Sequence, residues 1–420
     1  MLVELSVANF RSLRDQQTFS LIKGKGSELQ ETNSFKANSM ELLRSAAIYG
    51  PNAGGKSNFL LALQAMKRVV LESATSMQRG DQLPVMPFRL DPGTRLQPSE
   101  FEVIFIVDGV RYQYGFAATA ERIHEEWLLA YPKHRAQRWF ARVWNAKGEQ
   151  YHWEFGSHLT GEKLLWQKST RDNALFLSTA VQLNSHQLQP VFDWFRSRLR
   201  LSGVGGWSPD SSALLCEQAT KSRILDFLRA ADLDIEDVLV EKTSLDVKAL
   251  PESMPESLRE TIAEDFTGKQ LLKIQTVRTG SDGLPVRFDL AEESDGTRKV
   301  FAFAGPWLEA LKHGHVLFID ELHDNLHPEL VKFLVQLFHH EETNPHHAQL
   351  IFTTHETSIL NQAMFRRDQI WFCDKGKGQA TVLYPLTDFS PRKGRENLEL
   401  AYLSGRYGAL PYVRSLTREG

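Results

Sequence analysis

Only two cysteines occur among 420 residues, Cys216 and Cys373, far apart and without metal-ligand spacing. A disulfide-stapled secreted scaffold is therefore excluded, and a reducing compartment is expected. No run of about 18 apolar residues exists, so no transmembrane helix and no membrane partner are expected. The opening "MLVELSVANFRSL" alternates like a strand and lacks the apolar core of a signal peptide. These absences together point to a cytoplasmic protein. Net charge is also small: 49 Lys and Arg against 52 Asp and Glu leave −3. No global basic field announces nucleic acid, so DNA contact would need a local patch. No apolar heptad persists for three or four repeats, which excludes a long coiled-coil arm. What remains is a chain longer than one ordinary domain, 42% hydrophobic and able to bury a substantial core.

Residues 46–63 read "AAIYGPNAGGKSNFLLAL". An apolar strand runs into Gly50, and Lys56-Ser57 open a helical apolar pattern. Gly50-x-x-x-x-Gly55-Lys56-Ser57 is the phosphate-cradling loop pattern in its strand–loop–helix setting. Glycines at 50, 54 and 55 let backbone N–H groups turn inward at the positive end of the helix, with Asn52 and Asn58 beside them. Lys56 would reach the terminal phosphates, and the Ser57 hydroxyl would ligate Mg²⁺.

Along the chain, "LVELSVANF" and "DQQTFSLI" read as strands. "FEVIFIVDGVRYQYGF" is a hairpin turning at Asp108-Gly109, and "RWFARVWNAKGEQYHWEF" repeats the device with a longer turn. Residues 183–270 change character: "QPVFDWFRSRLRL", "KSRILDFLRAADL" and "PESLRETIAEDF" have helical spacing. From 285 the pattern is α/β. "PVRFDLA", the helix "VFAFAGPWLEALK", the strand "HVLFID", the helix "PELVKFLVQLFHH", and the strands "AQLIFTTH", "QIWFCD" and "ATVLYPL" imply a largely parallel sheet. The expected division is 1–120 and 286–390 as two halves of an α/β head, 121–285 as an inserted hairpin and helical subdomain, and 391–420 as a basic, aromatic tail.

"HVLFIDE" ends an apolar strand in Asp320 and Glu321, at the sheet edge where open α/β sheets bind ligands. Asp320 suits a Mg²⁺ shell, and Glu321 suits taking the proton of an attacking water. The strand "QLIFTTH" ends in His355, a side chain able to sense a γ-phosphate. "EESDGTRKV" places Ser294, Asp295, Gly296 and Thr297 before a helix, where an anion fits and where a plain helix cap fits as well.

The order "GPNAGGKS", "ESDGT", "VLFIDE", "LHDNLHP", "TTHE" resembles an ABC-type ATPase head of the SMC/RecF/OLD group. In particular it is similar to stand-alone prokaryotic AAA-type ATPases of anti-phage defence pairs, such as RloA and the ATPase subunits of Septu and PARIS. The resemblance implies an ABC-type P-loop NTPase head with an antiparallel β layer, a mainly parallel core sheet and an inserted helical subdomain. It implies ATP and Mg²⁺ as ligands, and a dimer or larger assembly with nucleotide sandwiched between subunits. Ser294 and Gly296 would contact the second subunit's phosphate, 323–328 would be the D-loop at the seam, and Arg11 would lie near the nucleotide. The Q-loop glutamine has no clear place; Gln82 and Gln97 are candidates. The expected function is ATP hydrolysis controlling a separate effector, a nuclease or toxin, in anti-phage defence. A RecF-like DNA-repair ATPase and an OLD-like ATPase-nuclease are the alternatives, although no D-x-D pair follows His355 to build a nuclease site.

His323 and His327 lack a third ligand, so a metal pair is not expected there. "HHEETNPHHA", 339–348, reads as a solvated connection between helix and strand. The tail sets Arg392, Lys393, Arg395, Arg406, Arg414 and Arg418 among Tyr402, Tyr407 and Tyr412, a pattern shared by nucleic-acid-binding surfaces, by protein-partner surfaces and by ordinary solvated segments.

Overall fold

The computed structural model describes residues 1–133, 135–202, 206–217, 219–244, 255–256 and 270–412. Most of the expected helix at 255–266, and Arg414 and Arg418 of the tail, lie outside the described residues. The described residues form two compact units: Met1–Val204 with Ala310–Asp324 and Val331–Gly420, and Gly205–Glu309 with Asn325–Leu330.

The first unit contains two large sheets. One is antiparallel and seven-stranded: β1 (Leu2–Ala8), β2 (Gln17–Ser20), β6 (Ser99–Val107), β7 (Val110–Ala118), β8 (Ile123–Tyr131), β9 (Gln137–Asn145) and β10 (Gln150–Phe155). Their spatial order is β10-β9-β8-β7-β6-β1-β2. The Asp108-Gly109 turn closes β6 on β7 with Val107 facing Val110. Both turn residues have positive φ, 49° and 75°, as a two-residue turn matched to strand twist requires. A small hairpin, β3 (Ser34–Ala37) with β4 (Met40–Leu43), precedes the phosphate-loop strand.

The other sheet is the mainly parallel core: β5 (Ser45–Tyr49), β11 (Leu199–Ser202), β15 (Val316–Ile319), β16 (Gln349–Thr353), β17 (Ile370–Lys375) and β18 (Thr381–Pro385), in the order β11-β15-β16-β5-β17-β18. Only the β17–β18 pair is antiparallel. Strands β5, β15 and β16 are buried at every position, which explains their continuous apolar runs. Helix α1 (Lys56–Glu72) turns Phe59, Leu60, Leu63, Met66 and Val70 into the core. Phe59 meets Phe19 of β2 at 5.8 Å between ring centroids and Phe318 of β15 at 6.3 Å, so the helix is wedged on both sheets. The buried Gln349 amide ties them further, accepting from Leu2 N at 2.6 Å and donating to the Leu2 and Leu43 carbonyls.

A fully buried ion pair stiffens the antiparallel layer. Glu126 lies 3.0 Å from Arg142 and accepts from the N–H groups of Phe176 and Leu177 at the start of the helix Phe176–Gln182. Arg142 sits between the rings of Tyr151 and Trp153.

The second unit pairs β12 (Asp237–Ser244), β13 (Gln270–Thr279) and β14 (Pro285–Asp289) into an antiparallel sheet. It also holds the helices Asp210–Cys216 and Lys221–Ala230 and most of α2 (Asp295–His313). Helix α3 (Pro328–His339) returns the chain to the first unit, and α4 (Leu398–Leu403) lies near its end.

Several local readings are corrected. "PVRFDLA" does not enter the parallel core but forms β14 beside β13. The helical reading of 189–201 ends early: a short helix and a π-turn over Trp194–Arg198 give way to β11. The open edge of β15 needs backbone partners, and Leu199–Ser202 supplies them in parallel register. The 339–348 connection is not simply solvated. His339 and Asn344 are buried, and Asn344 folds the loop by donating to the Phe338 and Ala348 carbonyls. The tail tyrosines Tyr402 and Tyr407 are core residues stacked on Phe372 at 5.5 Å each.

Candidate nucleotide-binding site

The parallel sheet directs the carboxyl ends of β5, β15 and β16 to one edge, where the backbone must leave the sheet and side chains converge. β5 delivers Gly50. A Cβ there would sit 2.1 Å from the Cys373 carbonyl, and one at Gly55, whose φ is 109°, would sit 1.9 Å from Thr381 Oγ1. Glycine is thus required at both ends of the loop by close packing against the β17 backbone and the Thr381 side chain of β18. Asn52 is exposed on the loop, Gly54 is buried, and Ser57 is half-buried in the first turn of α1.

Lys56 is only 5% exposed. Its ammonium donates to Gly50 O at 2.8 Å, Pro51 O at 3.1 Å and His355 Nε2 at 3.1 Å. Burial pushes its pKa down, while Cys373, Glu321 and Asp320 pull it back. The three acceptors are neutral groups, so a buried cation faces the loop without a bonded anion. That arrangement fits a phosphate.

His355 follows β16. Burial, and then the Lys56 charge and His323, lower its pKa to about 4, so the ring is neutral at pH 7 and accepts from Lys56. Glu321 Oε1 is 3.9 Å from the same nitrogen, a contact between a carboxylate and a neutral imidazole rather than an ion pair at that pH. The His323 ring stands edge-on to His355 at 5.5 Å.

Asp320 and Glu321 leave β15 together, and Glu321 takes a left-handed φ of 51°. That conformation is uncommon outside glycine. Thr353 at the end of β16 holds it: its hydroxyl donates to Asp320 Oδ1 at 2.6 Å and accepts from Glu321 N at 2.8 Å. No motif reading singled out Thr353, although a threonine closing the apolar strand beside an acid pair was a usable signal. Ser12 was missed as well. Its hydroxyl accepts from Asn58 Nδ2 at 2.8 Å and lies 2.7 Å from Thr381 Oγ1, linking the first loop to the base of α1. Arg11 is exposed beside it, with its guanidinium over the Phe10 ring. Gln82 and Gln97 are both exposed, on a loop that Asn9 fastens by donating to the carbonyls of Thr94, Gln97 and Pro98.

Among the described residues, no three His, Cys, Asp or Glu side chains gather into a metal site. A single hydroxyl and a single carboxylate, as Ser57 and Asp320 offer, would suit only a cation that keeps water and phosphate oxygens in its shell, as Mg²⁺ does. His327 is engaged otherwise, its Nδ1 accepting from Glu329 N.

In the second unit, Ser294 accepts from Thr297 N at 3.2 Å and so caps α2. A Cβ at Gly296 would come 3.0 Å from the Asn325 carbonyl, so the 323–328 loop passes close to this turn at Asn325.

Residues 45–361 match the family model described as "AAA domain, putative AbiEii toxin, Type IV TA system". The chain belongs to this AAA family. No curated protein sequence matches it. Among solved structures it is similar to an SMC head domain from Thermotoga maritima, at 14% identity over 91% of this chain and 98% of that one, with a TM-score of 0.38. It is also similar to an Smc head domain with an extended coiled coil bound to the C-terminal domain of ScpA derived from Pyrococcus furiosus, at 12% identity over 91% and 96%, with a TM-score of 0.38. Families of P-loop ATPases bind ATP with Mg²⁺. Among the described residues no helix is long and apolar enough to cross a membrane.

Proposed function

We propose that this AAA-family chain binds and hydrolyses ATP, and that ATP closes it on a second copy of itself to control a separate effector protein. The observation that carries this reading is the buried Lys56 ammonium, bonded to neutral acceptors alone, beside Asp320 and Glu321. Lys56 with the N–H groups of Gly50–Ser57 would bind the phosphates, with Asn52 and Asn58 at the rim and Arg11 nearby. Ser57 and Asp320 would hold Mg²⁺, which neutralises developing charge on phosphate oxygens when bound. Glu321 would take the proton of the attacking water, and neutral His355, bonded to Lys56, would sense the γ-phosphate. Ser294 and Gly296 of one copy would contact the nucleotide held by the other. Binding that favours the closed pair and hydrolysis that releases it make a two-state switch.

The effector is read as a nuclease or toxin of anti-phage defence. Support comes from the motif order and from the family description, which names a toxin system. The division into head halves 1–120 and 286–390, insertion 121–285 and tail 391–420 belongs to the same proposal.

The test is the light-scattering mass of Glu321→Gln with and without Mg·ATP, at several concentrations. A nucleotide-dependent rise that Ser294→Arg abolishes is expected. A monomeric mass in both conditions overturns the shared site, and wild-type turnover by Glu321→Gln removes its role as base.

A further inference from the structure

The nucleotide site uses the carboxyl edge of the parallel sheet. At the amino edge of the same sheet, Arg198 immediately precedes β11 and His315 immediately precedes β15, and Leu199 pairs with Val316. Together with Trp194, Ser197 and His313 they line a cavity of about 530 Å³.

Three cations, Arg198, Arg200 and Lys67, act on His315 at one side of the cavity. Arg198 Nη1 donates to the His313 carbonyl, which pins the guanidinium at the cavity wall. The rings of His313 and His315 stack at 5.7 Å. Lys67 Nζ donates to Leu199 O at 2.7 Å, just behind β11. Two carboxylates also line the space. Asp193 is engaged by Gln189 at 3.0 Å and Arg196 at 2.8 Å, and Asp108 is exposed on its hairpin turn.

His315 is the unusual member. It is 7% exposed, yet its Nδ1 is buried without a hydrogen-bond partner. Burial, and then Arg200, His313, Arg198 and Lys67, hold its pKa down at about 4. A buried ring nitrogen among cations is costly unless an anion, or a group bearing one, completes it.

We propose that this cavity is a second anion site, taking a small phosphate-bearing ligand on the sheet edge opposite the phosphate loop. A guanidinium fork and an imidazole at the entrances to adjacent parallel strands can grip different oxygens of one tetrahedral dianion, which a planar carboxylate satisfies less well. A concavity of this volume takes a small molecule rather than a length of polymer backbone. Bound anion would favour protonated His315, so binding takes up a proton below neutral pH.

The test uses the full chain carrying Lys56→Met, which weakens the phosphate loop, with pyrophosphate as the probe. Imidazole resonances are followed by NMR, and the His315 signal is assigned by its loss in His315→Asn. A saturable shift of that signal with a raised His315 pKa is expected. Arg198→Met should weaken binding at least about tenfold, and Arg198→Lys, which keeps charge but loses the fork, should fall between. Thermal melting checks that each variant is folded. If the His315 resonance does not move, or if folded Arg198→Met binds as well as its parent, the proposal is wrong. The readout needs neither ATP nor a second copy, so its failure leaves the ATPase reading standing, and the reverse holds too.

Discussion

Thr353 Oγ1 sits 2.6 Å from Asp320 Oδ1 and 2.8 Å from the backbone nitrogen of Glu321, one hydroxyl serving both acids. It fixes a carboxylate and the left-handed residue after it from the neighbouring strand. Thr353→Val keeps the volume and removes both bonds. ATP turnover is expected to drop at least about tenfold with a smaller change in ATP affinity, as for a lost positioning contact. Thr353→Ser should recover most of it. Steady-state kinetics on the pair decides; unchanged kcat in the valine variant refutes the role.

Lys56 and His355 share one hydrogen bond, and the lysine charge is the second-largest cause of the histidine's lowered pKa. Lys56→Met should weaken ATP binding at least about tenfold. It should also let the His355 pKa rise from about 4 toward the ordinary value. Imidazole NMR titration reads the second effect without nucleotide. A pKa that stays put shows that burial alone sets it.

His339 is buried against Ser45 at 2.7 Å, and burial holds its pKa at about 3. His315 and His355 are lowered in the same direction. A histidine depressed in the folded state leaves the unfolded chain binding more protons. The stability these sites allow is therefore complete above about pH 6.5 and is lost as pH falls toward 4. Melting temperature should fall steeply across that window and change little from these groups between pH 7 and 8. His339→Gln should flatten the fall; an equally steep profile would mean other groups dominate.

Glu126 and Arg142 are both fully buried, and the carboxylate also receives two helix N–H groups. Glu126→Gln keeps a side-chain acceptor but strands the guanidinium between Tyr151 and Trp153. A loss of about 3–5 kcal/mol in denaturant unfolding is expected. Glu126→Leu with Arg142→Leu should lose less than Glu126→Gln, because no charge is then left unpaired. Additive single losses would show that the two side chains are not coupled.

The sequence by itself determined most of the proposed nucleotide edge. Gly50–Ser57, Asp320-Glu321 and His355 each end or follow an apolar strand, and period and composition alone locate such ends. The hairpin at Asp108-Gly109 was legible because a two-residue turn with two positive φ angles admits few residues. Only the tertiary structure brought Thr353, Ser12 and Thr381 to those motifs, because their partners are distant in sequence and a lone hydroxyl carries no periodic signal. It also decided that Leu199–Ser202 is a strand, since the open edge of β15 outweighed local helical spacing. The tail tyrosines became core for the same kind of reason: Phe372 offered them a face that composition cannot show. Local chemistry names the residues that could act, but long-range packing sets what each of them touches.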